Sequence, residues 1–147
     1  MSAQLRIQGT CVALLKSDGS YAAVLLRGPP GAGKSDLALR LIDEGARLIA
    51  DDLVELTETE RDLIAAAPKT IRGRMEVRGL GIMEVPHAES ARLALIVDLV
   101  APAAVERMPA PAFEKIGEIT LPKLALAPFE GSASAKIRMA LQALRGT

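Results

Sequence analysis

Three short stretches of this chain carry residue types that do chemistry. The first is Gly28-Pro29-Pro30-Gly31-Ala32-Gly33-Lys34-Ser35. A glycine, four free positions and Gly-Lys-Ser form the P-loop pattern. Glycines let the main chain wrap closely, so that the N–H groups of Gly31, Ala32, Gly33, Lys34 and Ser35 point inward as a cradle for phosphate. Gly28 opens the turn, and Asp36 follows the cradle on the first turn of a helix. Lys34 supplies a charge for the β- and γ-phosphates, and the Ser35 hydroxyl is a ligand for Mg²⁺. A merely structural glycine turn would not need the Lys-Ser pair. A nucleotide phosphate with Mg²⁺ is the expected ligand. The second stretch is Asp51-Asp52. An Asp pair alone is most simply a turn cap. One strand after a P-loop helix, it matches the acidic strand end that faces the metal in such sites. Extended residues alternate sides, so one carboxylate faces the metal, and the other reaches an acceptor hydroxyl only if the chain turns there. The third stretch, Glu76 to Ile82, holds Arg78 and two glycines around Leu80. Its own physics says only a tight turn.

These groups need elements to hold them. Ala22 to Leu26 is an apolar run that suits a buried strand feeding the P-loop. Leu37, Leu39, Leu41 and Ile42 then mark a helix that stops at Asp43-Glu44-Gly45. Strand, glycine turn and helix are the context the motif requires, and the helix N-terminus adds its positive dipole end. Leu5 to Leu15 reads as a strand bent at Gly9, followed by the turn cluster Ser17 to Ser20. Ala46 to Ala50, Leu53 to Leu56, Asp62 to Ala67, Arg92 to Val100 and Glu118 to Ala127 are further strands. Ala101 to Pro111 is a Pro- and Ala-rich loop. Ile137, Ala140, Leu141 and Leu144 fall at helical spacing, which predicts an amphipathic helix over Ser132 to Leu144. The expected fold is therefore α/β with two long helices and a mixed, strand-rich sheet. This departs from P-loop domains in which helix and strand alternate.

Composition narrows the function. The chain has 147 residues, 18 basic and 18 acidic side chains, and 2 % aromatics. One domain is expected from this length. Balanced charge, no basic block and few stacking platforms argue against nucleic acid as a partner. Leu93 to Val105 is the longest apolar stretch, but Asp98 and Pro102 interrupt it, so no membrane span is expected. No leader-like segment opens the chain, and a cytoplasmic enzyme is expected. Cys11 is the single cysteine and lies in an apolar run, as a buried structural thiol would. His87 is the single histidine and reads as a loop residue.

Order and spacing of three motifs carry a resemblance. They are Gly33-Lys34-Ser35-Asp36, then Leu48-Ile49-Ala50-Asp51-Asp52-Leu53-Val54-Glu55, then Glu76-Val77-Arg78-Gly79-Leu80-Gly81-Ile82. Over about Leu5 to Val100 the chain resembles the bacterial HPr kinase/phosphorylase family, and the third motif is the specific one. The resemblance implies a P-loop kinase fold related to phosphoenolpyruvate carboxykinase, which would account for the excess of strands. It implies an ATP-dependent serine kinase acting on the phosphocarrier protein HPr of the phosphotransferase system. Lys34 and Ser35 would then be nucleotide and metal residues, with Lys34 also catalytic. Asp51 and Glu76 would be Mg²⁺ ligands, and Asp52 the general base that takes the proton from the acceptor serine. An ionised carboxylate within hydrogen-bond reach of that hydroxyl is what the role demands. The C-terminal helix would pack, help recognise HPr, and join neighbouring subunits in a homo-hexamer.

The departures from the family pattern carry expectations too. The family's N-terminal domain is not in this chain, which resembles the short, single-domain form of some proteobacteria. Gln8 stands where the family has a histidine, and Gln cannot take up a proton. Asp36 replaces a Glu. Pro128-Phe129-Glu130-Gly131-Ser132-Ala133 stands where the family has Pro-Gly-Arg-Asn, so the arginine associated with dephosphorylation by inorganic phosphate is missing. A kinase with weak or absent phosphorylase activity is expected. Two other readings compete: a small-molecule P-loop kinase, for which Arg72, Arg74 and Arg78 are a thin basic cluster, and a nucleotide-binding regulatory module without catalysis.

Overall fold

A computed structural model describes residues 3 to 144. The elements in order are β1 (Ala3–Gln8), β2 (Thr10–Leu15), β3 (Tyr21–Arg27), α1 (Lys34–Asp43), β4 (Arg47–Ala50), β5 (Leu53–Glu58), β6 (Leu63–Ala66), β7 (Arg74–Val77), β8 (Gly81–Glu84), β9 (Ser90–Leu99), β10 (Ala112–Ile116), β11 (Ile119–Leu126) and α2 (Ala133–Ala143). Nine strands form one sheet, with order β1-β5-β6-β9-β3-β2-β4 and with β10-β11 joined to β9. β9 is its hub. It runs parallel to β3 and β11 and antiparallel to β6. The mixed, strand-rich sheet and the two long helices agree with the sequence.

The last strand of that order, β4, passes within two residues into β5, near the other end. The sheet must therefore curl until its ends meet. Alternation divides the side chains between two cores. Val24 and Leu26 of β3 face one core with Leu37, Leu41 and Ile137 from the helices. Ala23 and Leu25 face the other, inside the curl, with Cys11, Ile49, Leu56 and Ile96. Cys11 is fully buried, and loss of solvation pushes its thiol pKa up, so it is an inert packing group.

α1 ends where the sequence predicts. Gly45 N–H donates to Ile42 O at 3.0 Å and Ala46 N–H to Leu41 O at 2.9 Å, a Schellman closure. α1 and α2 are tied by the Glu44 carboxylate, which accepts from Ser134 Oγ at 3.1 Å and pairs with Arg138.

Two regions differ from the sequence reading. Glu76 to Ile82 lies in a β7–β8 hairpin, closed by Leu80 N–H to Val77 O at 2.9 Å. All four residues of β8 are exposed, so no period-two pattern marks it. β10 is also a strand, although only Ile116 of its five residues is buried. Its identity comes from pairing with β11. The loop after β9 contains one short 3₁₀ turn, Pro102–Ala104. Among the described residues, no helix is long and apolar enough to cross a membrane.

Candidate active site

β3 ends at Arg27 beside its parallel neighbour β9, and the P-loop begins there. The carboxyl ends of parallel strands are where α/β sheets bind ligands. The cradle's turn is closed by Ala32 N–H to Pro29 O at 3.0 Å. Gly33 caps α1 with φ 99°, a left-handed conformation, and a Cβ there would lie 2.9 Å from Phe129 Cζ. Only glycine meets both demands. A Cβ on Gly28 would lie 2.8 Å from Ala32 Cβ, so the loop is too tight for a side chain there. Lys34 folds back over the loop, its Nζ donating to Gly28 O at 2.6 Å and Pro29 O at 3.1 Å.

Asp51 gathers the rest. β1 and β2 are one strand broken at Gly9, and β4 and β5 are one strand broken at Asp51-Asp52. The two pair antiparallel on both sides of the break. Gly9 N–H donates to Asp52 O at 3.1 Å across it. Asp51 Oδ1 accepts from Ser35 Oγ at 2.9 Å and from Thr10 Oγ1 at 3.1 Å. Its Oδ2 accepts from the backbone N–H of Glu76 at 3.3 Å. One carboxylate thus joins the cradle, the strand break and the β7–β8 hairpin. Asp52 has φ 73°, the only non-glycine with positive φ among the described residues. Such a conformation costs of order 1 kcal/mol or more and is held only by its surroundings. The chain does turn at Asp52, and its exposed carboxylate has no partner among the described residues.

Glu76 is brought beside Asp51 by its main chain, while its side chain is exposed. Buried Met75 anchors β7 in the helix-side core. The chain after β8 is pinned to β4 by Leu48 N–H to Pro86 O at 2.8 Å and Ala88 N–H to Leu48 O at 2.9 Å. His87 belongs to this exposed crossing, as a loop residue. Asp36 is exposed and faces Arg40 Nε at 3.4 Å. Arg40 in turn donates to the carbonyls of Pro128 and Glu130, so this pair positions the turn beside the cradle. Within that turn Glu130 pairs with Lys136 at 3.2 Å. Gln8 is exposed at the end of β1.

Ser35 and Asp51 are an oxygen donor set of the kind Mg²⁺ takes. That ion keeps several waters and needs only one or two protein ligands besides phosphate. Among the described residues no group of three His, Cys, Asp or Glu side chains gathers as a larger metal cluster.

Two contributors escaped the sequence reading. Thr10 is 1 % exposed and is the one hydroxyl in an otherwise apolar strand. Arg27 sits directly before Gly28. It makes two bonds to Asp98, at 2.8 and 3.1 Å, and two to Glu114, at 2.6 and 2.8 Å. Lys123 Nζ joins Glu114 at 3.2 Å. This cluster ties β3, β9, β10 and β11 together at the mouth of the cradle. The Arg27 guanidinium, and to a smaller degree Lys123, lower the Glu114 pKa to about 2. Its bonds to the Glu114 and Asp98 carboxylates raise the pKa of Arg27.

Fold and site define a P-loop domain of the curled, mixed-sheet type, with an acidic strand end beside the phosphate cradle. The family model described as HPr Serine kinase C-terminal domain matches residues 1–140, and the chain belongs to that family. It is 51 % identical over 63 residues to an HPr kinase/phosphorylase of Clostridium tetani, covering 43 % of this chain and 21 % of that protein. It is 41 % identical over 85 residues to one of Clostridium botulinum, covering 58 % and 26 %. The matched stretches thus span at most about a quarter of those curated relatives. A solved structure, the Hpr(Ser) kinase/phosphatase from Coxiella burnetii, superposes with TM-score 0.81 at 25 % identity, over 96 % of this chain and 90 % of that one. The family resemblance and the fold expected from it are both confirmed.

Proposed function

We propose that this chain transfers the γ-phosphoryl group of ATP to a serine of HPr. The observation that carries the reading is the Asp51-Asp52 break. It turns one carboxylate onto Ser35 of the cradle and leaves the next exposed, with no partner among the described residues. In this reading the cradle N–H groups and Lys34 hold the β- and γ-phosphates. Lys34 exchanges its two carbonyl partners for phosphate oxygens. Ser35 and Asp51, with Glu76 nearby, would hold Mg²⁺, and that ion would supply charge neutralisation along the phosphates. Thr10 and the Glu76 N–H keep Asp51 oriented. The acceptor serine oxygen forms the new bond to phosphorus as the bond to the β-phosphate oxygen breaks and ADP leaves. Asp52 takes the serine proton.

A protein acceptor is supported by the exposed apolar residues Leu80, Ile82 and Met83 on the hairpin that carries Glu76. The turn at Pro128 to Ala133 offers Glu130 rather than an arginine, which supports weak or absent attack by inorganic phosphate on phosphoserine. The test is to incubate the chain with Mg-ATP and HPr and to map the modified residue by mass spectrometry. One phosphoserine on HPr, lost with Lys34→Ala, is expected. An unmodified HPr overturns the acceptor assignment, and full transfer by Lys34→Ala overturns the site.

A further inference from the structure

We infer that an apolar groove running off the cradle holds the nucleoside half of the nucleotide and reads the base by shape and stacking alone. This rests on the nucleotide reading above. The groove encloses about 740 Å³, within the range of about 300–1,000 Å³ usual for small-molecule sites. Its floor is continuous with the phosphate site. Pro29 and Ala32 are residues of the cradle itself, and they line the groove together with Leu99 and Pro102 on one wall and Phe129 on the other. Phe129 stands at the border. Its ring edge occupies the space a Cβ on Gly33 would need, and the residue is 70 % exposed. An exposed ring beside a phosphate cradle is a stacking platform for a planar base.

The walls offer a base edge very little to bond. Glu130 is the single lining residue with a polar side chain, and its carboxylate pairs with Lys136 at 3.2 Å. The carbonyls of Ala101 and Pro102 already accept from Ala104 and Val105 at 2.9 and 3.1 Å. Val100 N–H is bonded to Leu126 O at 2.9 Å. The carbonyls of Pro128 and Glu130 are taken by Arg40. Sites that discriminate strongly do so by leaving a buried polar group unpaired against the wrong ligand. An apolar wall whose one polar side chain is paired, and whose named backbone groups are already bonded, has little with which to do so. The purine bases of ATP and GTP are therefore accepted nearly alike.

The experiment is equilibrium binding of ATP, GTP and inorganic tripolyphosphate, each with Mg²⁺, to the wild-type chain, Phe129→Ala and Ala101→Trp. Ala101 is exposed on the groove wall, so the tryptophan fills the groove without removing core. ATP is expected to bind at least about tenfold more tightly than tripolyphosphate, with GTP within about tenfold of ATP. Each variant is expected to lose about tenfold in affinity for both nucleotides, with tripolyphosphate unchanged. Tripolyphosphate binding as tightly as ATP, or both variants keeping wild-type nucleotide affinity, overturns the groove. Rejection of GTP by more than about a hundredfold overturns recognition by shape alone. If neither nucleotide nor tripolyphosphate binds the wild type, the cradle reading fails, and the groove with it.

Discussion

Replacing Glu114 by Gln tests whether the ion cluster at the mouth of the cradle stabilises the fold. Glu114 meets Arg27 through two bonds, at 2.6 and 2.8 Å, and its side chain is 29 % exposed. Its pKa falls from 4.5 to about 2, chiefly through those bonds. At about 1.4 kcal/mol for each tenfold in acid strength, that fall corresponds to roughly 3 kcal/mol. Solvent screening of a quarter-exposed pair reduces it to about 2 kcal/mol. The sign follows from linkage. A carboxyl held below its unfolded pKa contributes fully above about 4.5, and the contribution is lost as pH falls toward about 2. Urea unfolding at pH 7 should therefore give a midpoint about 1 M lower for Glu114→Gln, with a slope of about 2 kcal/mol/M. The gap should hold to pH 5 and shrink to less than half by pH 3. A gap of equal size at pH 7 and pH 3 would refute the electrostatic account, because a packing defect does not titrate. No gap at pH 7 would show that the pair is screened to nothing.

Three other outcomes follow from the site. Thr10→Val keeps the buried shape and removes one bond to Asp51, so kcat for phosphoryl transfer should fall about tenfold or more, with ATP affinity nearly unchanged; an unaltered kcat would mean that Ser35 and the Glu76 N–H orient Asp51 without it. Asp52→Asn should abolish transfer to HPr while Mg-ATP still binds, measured by phosphopeptide mapping alongside titration calorimetry, and normal transfer would remove Asp52 from the base role. Inorganic phosphate added to serine-phosphorylated HPr with this chain should release no measurable pyrophosphate, since the Pro128 to Ala133 turn carries Glu130 in place of an arginine; rapid release would show that another cation, such as Arg40, serves instead.

Much of the scaffold was legible because its signals are local. The apolar strand from Tyr21, the glycine cradle, the stop at Gly45 and the spacing of Ile137, Ala140 and Leu141 each state an element within one window of sequence. The β7–β8 hairpin and β10 were not legible. Their residues are mostly exposed, so burial imposes no alternation on them. They are strands because of what they pair with, and pairing is a long-range fact. Thr10 escaped for a related reason: one threonine in an apolar strand says nothing until the strand across from it is known.

By itself the sequence singled out the groups to which the proposed chemistry is assigned. Gly28 to Ser35 carries the P-loop pattern, whose local backbone geometry suits phosphate. Asp51, Asp52 and the Glu76 to Ile82 motif mark the family, a membership that the family model and the fold bear out. Only the tertiary structure decided how they meet. Ser35, Glu76 and Thr10 lie 16, 25 and 41 residues from Asp51 and converge on its carboxylate. What brings them there is a shared break in two long paired strands, at Gly9 on one and at left-handed Asp52 on the other. No local propensity encodes that coincidence, because a positive φ at aspartate is unfavourable alone and is held only where the ladder on both sides enforces it.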